Sequence, residues 1–161
     1  MNKRLISLLM TLALCLSLAP FAAVPAGALE GSGTSGSPYR IGTAAGLLEF
    51  AAIVNGSGGY AGRENPAACA VLTADIDMKN ETWTSIGKDD DSPYCGVFNG
   101  GGHVIASLNN TGETGTPAYA GLFGNVEGGA VHDVGVIACD LRGETVGGIV
   151  GSLETGTVQN C

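Results

Sequence analysis

Residues 120–134 and 147–161 carry one pattern twice, 27 positions apart, and this repeat limits the folds open to the chain more than any other feature. Gly121/Gly148, Gly124/Gly151, Glu127/Glu154, Gly129/Gly156 and Val131/Val158 are identical, while Leu122/Ile149, Phe123/Val150 and Val126/Leu153 keep their apolar character. A looser copy starts at Gly96-Val97-Phe98-Asn99-Gly100 and resumes at Val104-Ile105-Ala106-Ser107-Leu108. One such unit is too small to bury its own aliphatic side chains. Stacking the next unit on it pairs backbone amides with carbonyls and lines the repeated side chains up inside, at roughly 1.5–3 kcal/mol for each fully buried Val, Leu or Ile. The spacing therefore predicts an all-β chain, a parallel β-helix (β-solenoid) with glycine-rich corners.

The rest of the mature segment fits that expectation. Ala70-Val71-Leu72, Ile76-Asp77-Met78, Val97-Phe98, Val104-Ile105, Leu122-Phe123, Val131 to Ile137 and Ile149-Val150 are apolar runs of strand length, nearly all bounded by Gly, Asn or Asp. Helical periodicity occurs in one place, 43–56. There Leu47, Phe50, Ala51 and Val54 share a face, Thr43 is a candidate N-cap, and Asn55-Gly56 is a left-handed stop. This short N-terminal helix is expected to cap the first coil. At the other end the pattern stops at Cys161 with no capping segment, which predicts a chain truncated there, with further repeats in a longer chain, or an open end that pairs with something else.

Residues 1–28 read as a signal peptide. Lys3 and Arg4 precede the apolar run Leu5 to Leu18, Pro20 and Pro25 break it, and Ala26-Gly27-Ala28 offers small residues for cleavage. The run is shorter than the roughly 20 residues that span a bilayer. Residues 29–37 are a Gly/Ser-rich lead-in and 38–161 the folded domain, with no integral membrane segment expected after cleavage. Cleavage leaves five Lys and Arg against fifteen Asp and Glu, a net charge of −10. That surface argues against nucleic acid or an anionic membrane as partner. Cys69, Cys95, Cys139 and Cys161 remain. In an exported chain they can form disulfides in any of three pairings or stay reduced as small apolar residues, and none of the spacings is that of a zinc cluster.

Three segments together carry a family resemblance. They are Leu72-Thr73-Ala74-Asp75-Ile76-Asp77-Met78 with Trp83-Thr84-Ser85-Ile86-Gly87; Gly96-Val97-Phe98-Asn99-Gly100-Gly101-Gly102-His103-Val104-Ile105; and Gly121-Leu122-Phe123-Gly124 with its echo Gly148-Ile149-Val150-Gly151. Over roughly 38–161 the chain resembles the GLUG-motif repeat proteins of bacterial surfaces and secretions, which include non-catalytic parts of some IgA-cleaving peptidases. The family's usual Phe-Asp-Gly-x-Gly-His has Asn99 in place of the aspartate here. The resemblance implies a surface-exposed repeat module and implies no reaction.

Each candidate site has a plainer structural reading. Asp75 and Asp77, two apart in a strand, face the same way and could serve calcium binding or acid–base work on a polysaccharide; the plainer reading is a solvated edge with Ile76 in the core. Asp89-Asp90-Asp91 could offer oxygen to calcium but lacks the EF-hand spacing, so it reads as a surface loop. His103 reads as a turn cap. His132 and Asp133, adjacent in a strand, should point apart and form no dyad. Trp83 and Tyr94 could stack on sugars, but packing is the simpler role. Gly100-Gly101-Gly102 lacks the Lys-Ser/Thr and the helix of a phosphate loop. No Gly-x-Ser-x-Gly elbow is present. The expectation is thus no catalytic, cofactor or metal residue. It is a non-enzymatic secreted or cell-surface module, acting as stalk, adhesin or interaction scaffold toward a surface protein or glycan. The alternatives are a carbohydrate-active β-helix (lyase or glycosidase) and the non-catalytic arm of a surface peptidase.

Overall fold

The computed structural model describes residues 29–111 and 115–161, so the signal-peptide reading of residues 1–28 lies outside the described residues. In chain order the elements are β1 (Tyr39–Ile41), α1 (Ala44–Asn55), a 3-10 turn (Gly58–Tyr60), β2 (Ala70–Leu72), β3 (Ile76–Asp77), β4 (Val97–Asn99), β5 (Val104–Ala106), β6 (Tyr119–Ala120), β7 (Phe123–His132), β8 (Gly135–Ile137), β9 (Thr145–Val146) and β10 (Val150–Gln159). They assemble into three sheets, β1-β2-β4-β7-β10, β3-β5-β8 and β6-β9. Every pairing within these sheets is parallel. No helix among the described residues is long and apolar enough to cross a membrane.

The sequence repeat is a spatial register. Val150 lies opposite Phe123, Leu153 opposite Val126 and Val158 opposite Val131. The shared glycines follow from how closely these backbones approach. A Cβ on Gly124 would stand 2.6 Å from the Gly87 carbonyl oxygen, and one on Gly151 would stand 2.9 Å from that of Gly124. The two copies differ in burial. Phe123, Val126 and Val131 are fully buried, whereas Leu153 in edge strand β10 is 45% exposed.

The helix forms where its apolar spacing predicts. Thr43 Oγ1 accepts a hydrogen bond from the Gly46 amide at 3.1 Å, and Gly56 ends the helix at φ 63°. Its buried face joins the same core as the strands. The Phe50 ring centroid lies 5.9 Å from that of Phe98 in β4 and 6.3 Å from that of Tyr94. Those rings continue to Phe123, at 5.2 Å from Phe98 and 4.9 Å from Tyr94.

This corrects the expectation of an all-β parallel β-helix with a capping helix. The described residues form a mixed α/β fold of three parallel sheets and one helix. The helix is part of the core rather than a lid over one end of it. The sheets are unequal in width, and most of their strands are two or three residues long. A repeat reports which strands neighbour one another; it carries no information on which element supplies the aromatic centre of the core.

Candidate functional site

Two outward sheet faces carry grooves that could meet a ligand. In a strand, alternate side chains leave the core. On the five-stranded sheet this puts Arg40, Val71, Asn99, His132 and Gln159 in one outward row across the strands. A groove of about 290 Å³ crosses this face, lined mainly by Cys69, Val71, Val97, Asn99, His132 and, from the lead-in, Ser35. On the three-stranded sheet a second groove of about 360 Å³ is lined by Asp75, Ile76, Asp77, Val104, Ala106 and Ile137. Ile137 is 56% exposed there.

Asp75 and Asp77 are both exposed while Ile76 between them is buried. Each carboxylate is engaged locally. Asp75 Oδ1 accepts from the Val104 amide at 3.0 Å and pairs with His103 Nδ1 at 3.1 Å. The Val104 amide first, and His103 second, hold the Asp75 carboxyl below its ordinary pKa. Asp77 Oδ1 accepts from the Lys79 amide at 3.1 Å. The turn at 100–103 is therefore held by Asp75 from the neighbouring strand and by Asn99 Oδ1, which accepts from the Gly101 amide at 2.8 Å. His103 adds a side-chain pair to Asp75 rather than capping the turn itself. Gly100-Gly101-Gly102 leads into strand β5, with Gly101 and Gly102 at positive φ, and no helix follows.

His132 and Asp133 do form a pair, against the strand-alternation argument. Asp133 stands at φ 57°, outside extended geometry, and this turns its carboxylate back to His132 Nδ1 at 2.8 Å. Its other oxygen accepts from Asn160 Nδ2 at 2.9 Å. Asn160 is also left-handed, at φ 54°, so the corners after β7 and β10 are tied to each other. His132 first, then Asn160, keep the Asp133 carboxyl below its ordinary pKa. His132 and Cys69 line the same groove, but the hydrogen bond of the Cys69 thiol goes to the Ala67 carbonyl at 3.9 Å. Cys69, Cys95, Cys139 and Cys161 are all unpaired in this structure.

Trp83 and Tyr94 are fully buried and cannot stack on a sugar. Trp83 Nε1 donates to the Gly121 carbonyl at 2.9 Å, and Tyr94 Oη donates to that of Ala68 at 2.9 Å. Burial pushes the Tyr94 phenol far up from its ordinary pKa, so it stays neutral. In the Asp89–Asp91 loop, Asp90 Oδ1 accepts from Asn125 Nδ2 at 3.1 Å and Lys88 Nζ lies 3.4 Å from Asp89 Oδ2.

Three buried asparagines, Asn55, Asn110 and Asn125, take structural roles that the sequence does not announce. Asn110 donates from Nδ2 to the Arg142 carbonyl at 2.7 Å and accepts the Arg142 amide at Oδ1 at 2.8 Å. Asn55, the last helical residue, donates from Nδ2 to the Ser85 carbonyl and accepts the Gly87 amide at Oδ1, each at 2.9 Å. Asn125 lies 1% exposed inside β7, at a position the repeat fills with Ser152. For Asn125 the sequence signal is a strongly polar residue inside an apolar run, and for Asn55 it is the helix stop beside Gly56.

No family model matches the chain. No curated protein matches it. No solved structure matches it.

Proposed function

We propose that the chain is a non-enzymatic secreted or cell-surface module that presents rigid sheet faces to a surface protein or a glycan. The observation that carries this reading is the use made of the candidate catalytic groups. Asp75, Asp77 and Asp133 each accept hydrogen bonds that hold a turn or a strand end. A general acid or base needs a proton-transfer position open to substrate. These faces also expose apolar side chains on a hydrogen-bonded sheet, Val97 on one and Ile137 on the other. Such a surface can bind without ordering itself first. The GLUG-type segments and the N-terminal signal pattern support the same reading, as part of a bacterial surface protein.

A carbohydrate-active reading has one observation in its favour: Asp75 and Asp77 line one groove. A reducing-end assay over pectins, alginate and host glycans, alongside a glycan array, separates the two. The proposal expects no product, and any binding to survive D75N/D77N at the level of the folded protein. Turnover that disappears in D75N/D77N would replace it with the enzymatic reading.

A further inference from the structure

The sequence holds three Asn-x-Ser/Thr triplets: Asn55-Gly56-Ser57, Asn80-Glu81-Thr82 and Asn109-Asn110-Thr111. This triplet is the acceptor pattern for N-linked glycosylation, and it serves where the asparagine lies on the surface of an exported chain. The fold sorts the three. Asn55 is 7% exposed. Its Nδ2 donates to the Ser85 carbonyl and its Oδ1 accepts the Gly87 amide, each at 2.9 Å, so a reaction at that amide would have to break both bonds.

The other two triplets are on the surface. Asn80, Thr82, Asn109 and Thr111 are all exposed. Asn80 sits in a turn closed by the Glu81 amide, which donates to the Met78 carbonyl at 2.9 Å. Asn109 Oδ1 accepts the Thr111 amide at 2.8 Å and the Thr111 hydroxyl at 2.6 Å. The threonine thus holds the carbonyl end of the side chain, and Nδ2 is the end left for transfer.

These two triplets lie 29 positions apart in the chain and side by side in space. The strands that lead into them pair with the same offset, Ile76 opposite Ile105 and Asp77 opposite Ala106. The Trp83 amide then donates to the Asn109 carbonyl at 2.8 Å, which lays 80–82 beside 109–111. Lys79, Asn80, Glu81, Thr82, Asn109 and Thr111 line one groove of about 260 Å³. None of these residues lines either sheet-face groove.

We propose that Asn80 and Asn109 form a paired N-glycosylation site. Nδ2 attacks the anomeric carbon of a sugar held as a glycosyl phosphate on a lipid or nucleotide carrier. The N–C bond forms as the bond from that carbon to the phosphate oxygen breaks; the phosphate leaves with the electron pair, and one amide proton goes to base. The two sugars then stand together on adjacent turns, outside both sheet-face grooves. Asn55 stays bare because its amide is buried and doubly bonded.

Peptide mapping of the exported protein, with electron-transfer fragmentation that keeps sugars on their asparagines, tests this. The expected result is sugar mass on the Asn80 and Asn109 peptides and none on that of Asn55. Asn80→Gln and Asn109→Gln are each expected to remove one of the two masses, as are Thr82→Ala and Thr111→Ala, while Thr111→Ser keeps both. A bare Asn80 or Asn109, equal modification of Asn55, or a mass that survives loss of the threonine would each overturn the proposal. The proposal rests on the export reading, and protein found only inside the producing cells would overturn that reading first.

Discussion

Val126→Ala is expected to destabilise the protein more than Leu153→Ala, although the leucine loses the larger group. The two residues occupy the same place in the sequence repeat and lie opposite each other in β7 and β10. Val126 is fully buried, whereas Leu153 is 45% exposed. Truncating Val126 removes two carbons from the core, worth about 1.6 kcal/mol in transfer, and the cavity left behind brings the cost to about 2–3 kcal/mol. Truncating Leu153 removes three carbons of which little more than half their surface is out of water, worth about 1 kcal/mol with no enclosed cavity to add. The gap of about 1–2 kcal/mol reads out as a difference in urea midpoint at constant slope. Trp83 is fully buried and supplies the fluorescence signal. If the repeat stacked so that both copies were equally enclosed, Leu153→Ala would be the costlier variant. A Leu153→Ala cost equal to or above that of Val126→Ala would refute the burial difference between the two strands.

Gly124→Ala should cost about 1–3 kcal/mol through backbone displacement, because its Cβ would stand 2.6 Å from the Gly87 carbonyl oxygen. Gly148→Ala, a glycine of the same motif with nothing within 4 Å of its would-be Cβ, should be close to neutral in the same thermal melt. Thr43→Ala should lose about 1 kcal/mol by removing the hydrogen bond from the Gly46 amide, and Thr43→Ser should recover most of it, read by helical ellipticity and urea midpoint. The folded-state pKa values of Asp75 and Asp133 are depressed. Their contribution is therefore present above the unfolded carboxyl pKa and is lost as pH falls through the lower folded value. The urea midpoint should drop below about pH 4, and D75N/D133N should flatten that part of the profile; an unchanged acid limb in the double variant would contradict the assignment.

What could be read in advance was the local and periodic part of the fold. The 27-residue offset is the register of β7 with β10 except at an irregularity where Glu127 lies opposite Thr155, because identical spacing is what lets amides and carbonyls meet in parallel neighbours. The helix was legible for the same kind of reason, since its cap, its apolar face and its stop lie within fourteen residues. The class was not legible. That Phe50 would reach Tyr94 and Phe98 depends on tertiary packing across more than forty residues, and this contact sets the helix into the core of the mixed α/β fold. At the candidate site, the outward direction of Asp75 and Asp77 followed from strand alternation. The Asp75 link to Val104 did not, because it spans 29 residues. The His132–Asp133 contact was misjudged because alternation assumes extended backbone, and Asp133 leaves it at φ 57°.

The in-register stacking of the repeat can be measured by NMR scalar couplings across hydrogen bonds, which identify each amide's acceptor carbonyl. The structure has the Phe123 amide bonded to the Ile149 carbonyl at 2.8 Å, the Gly147 amide to that of Ala120 at 2.9 Å, and the Asp133 amide to that of Gln159 at 3.1 Å. Couplings across these three pairs are the expected result. Couplings that instead join residues of 120–134 to 147–161 in antiparallel order, or that join neither segment to the other, would contradict the register on which the fold and both sheet faces depend.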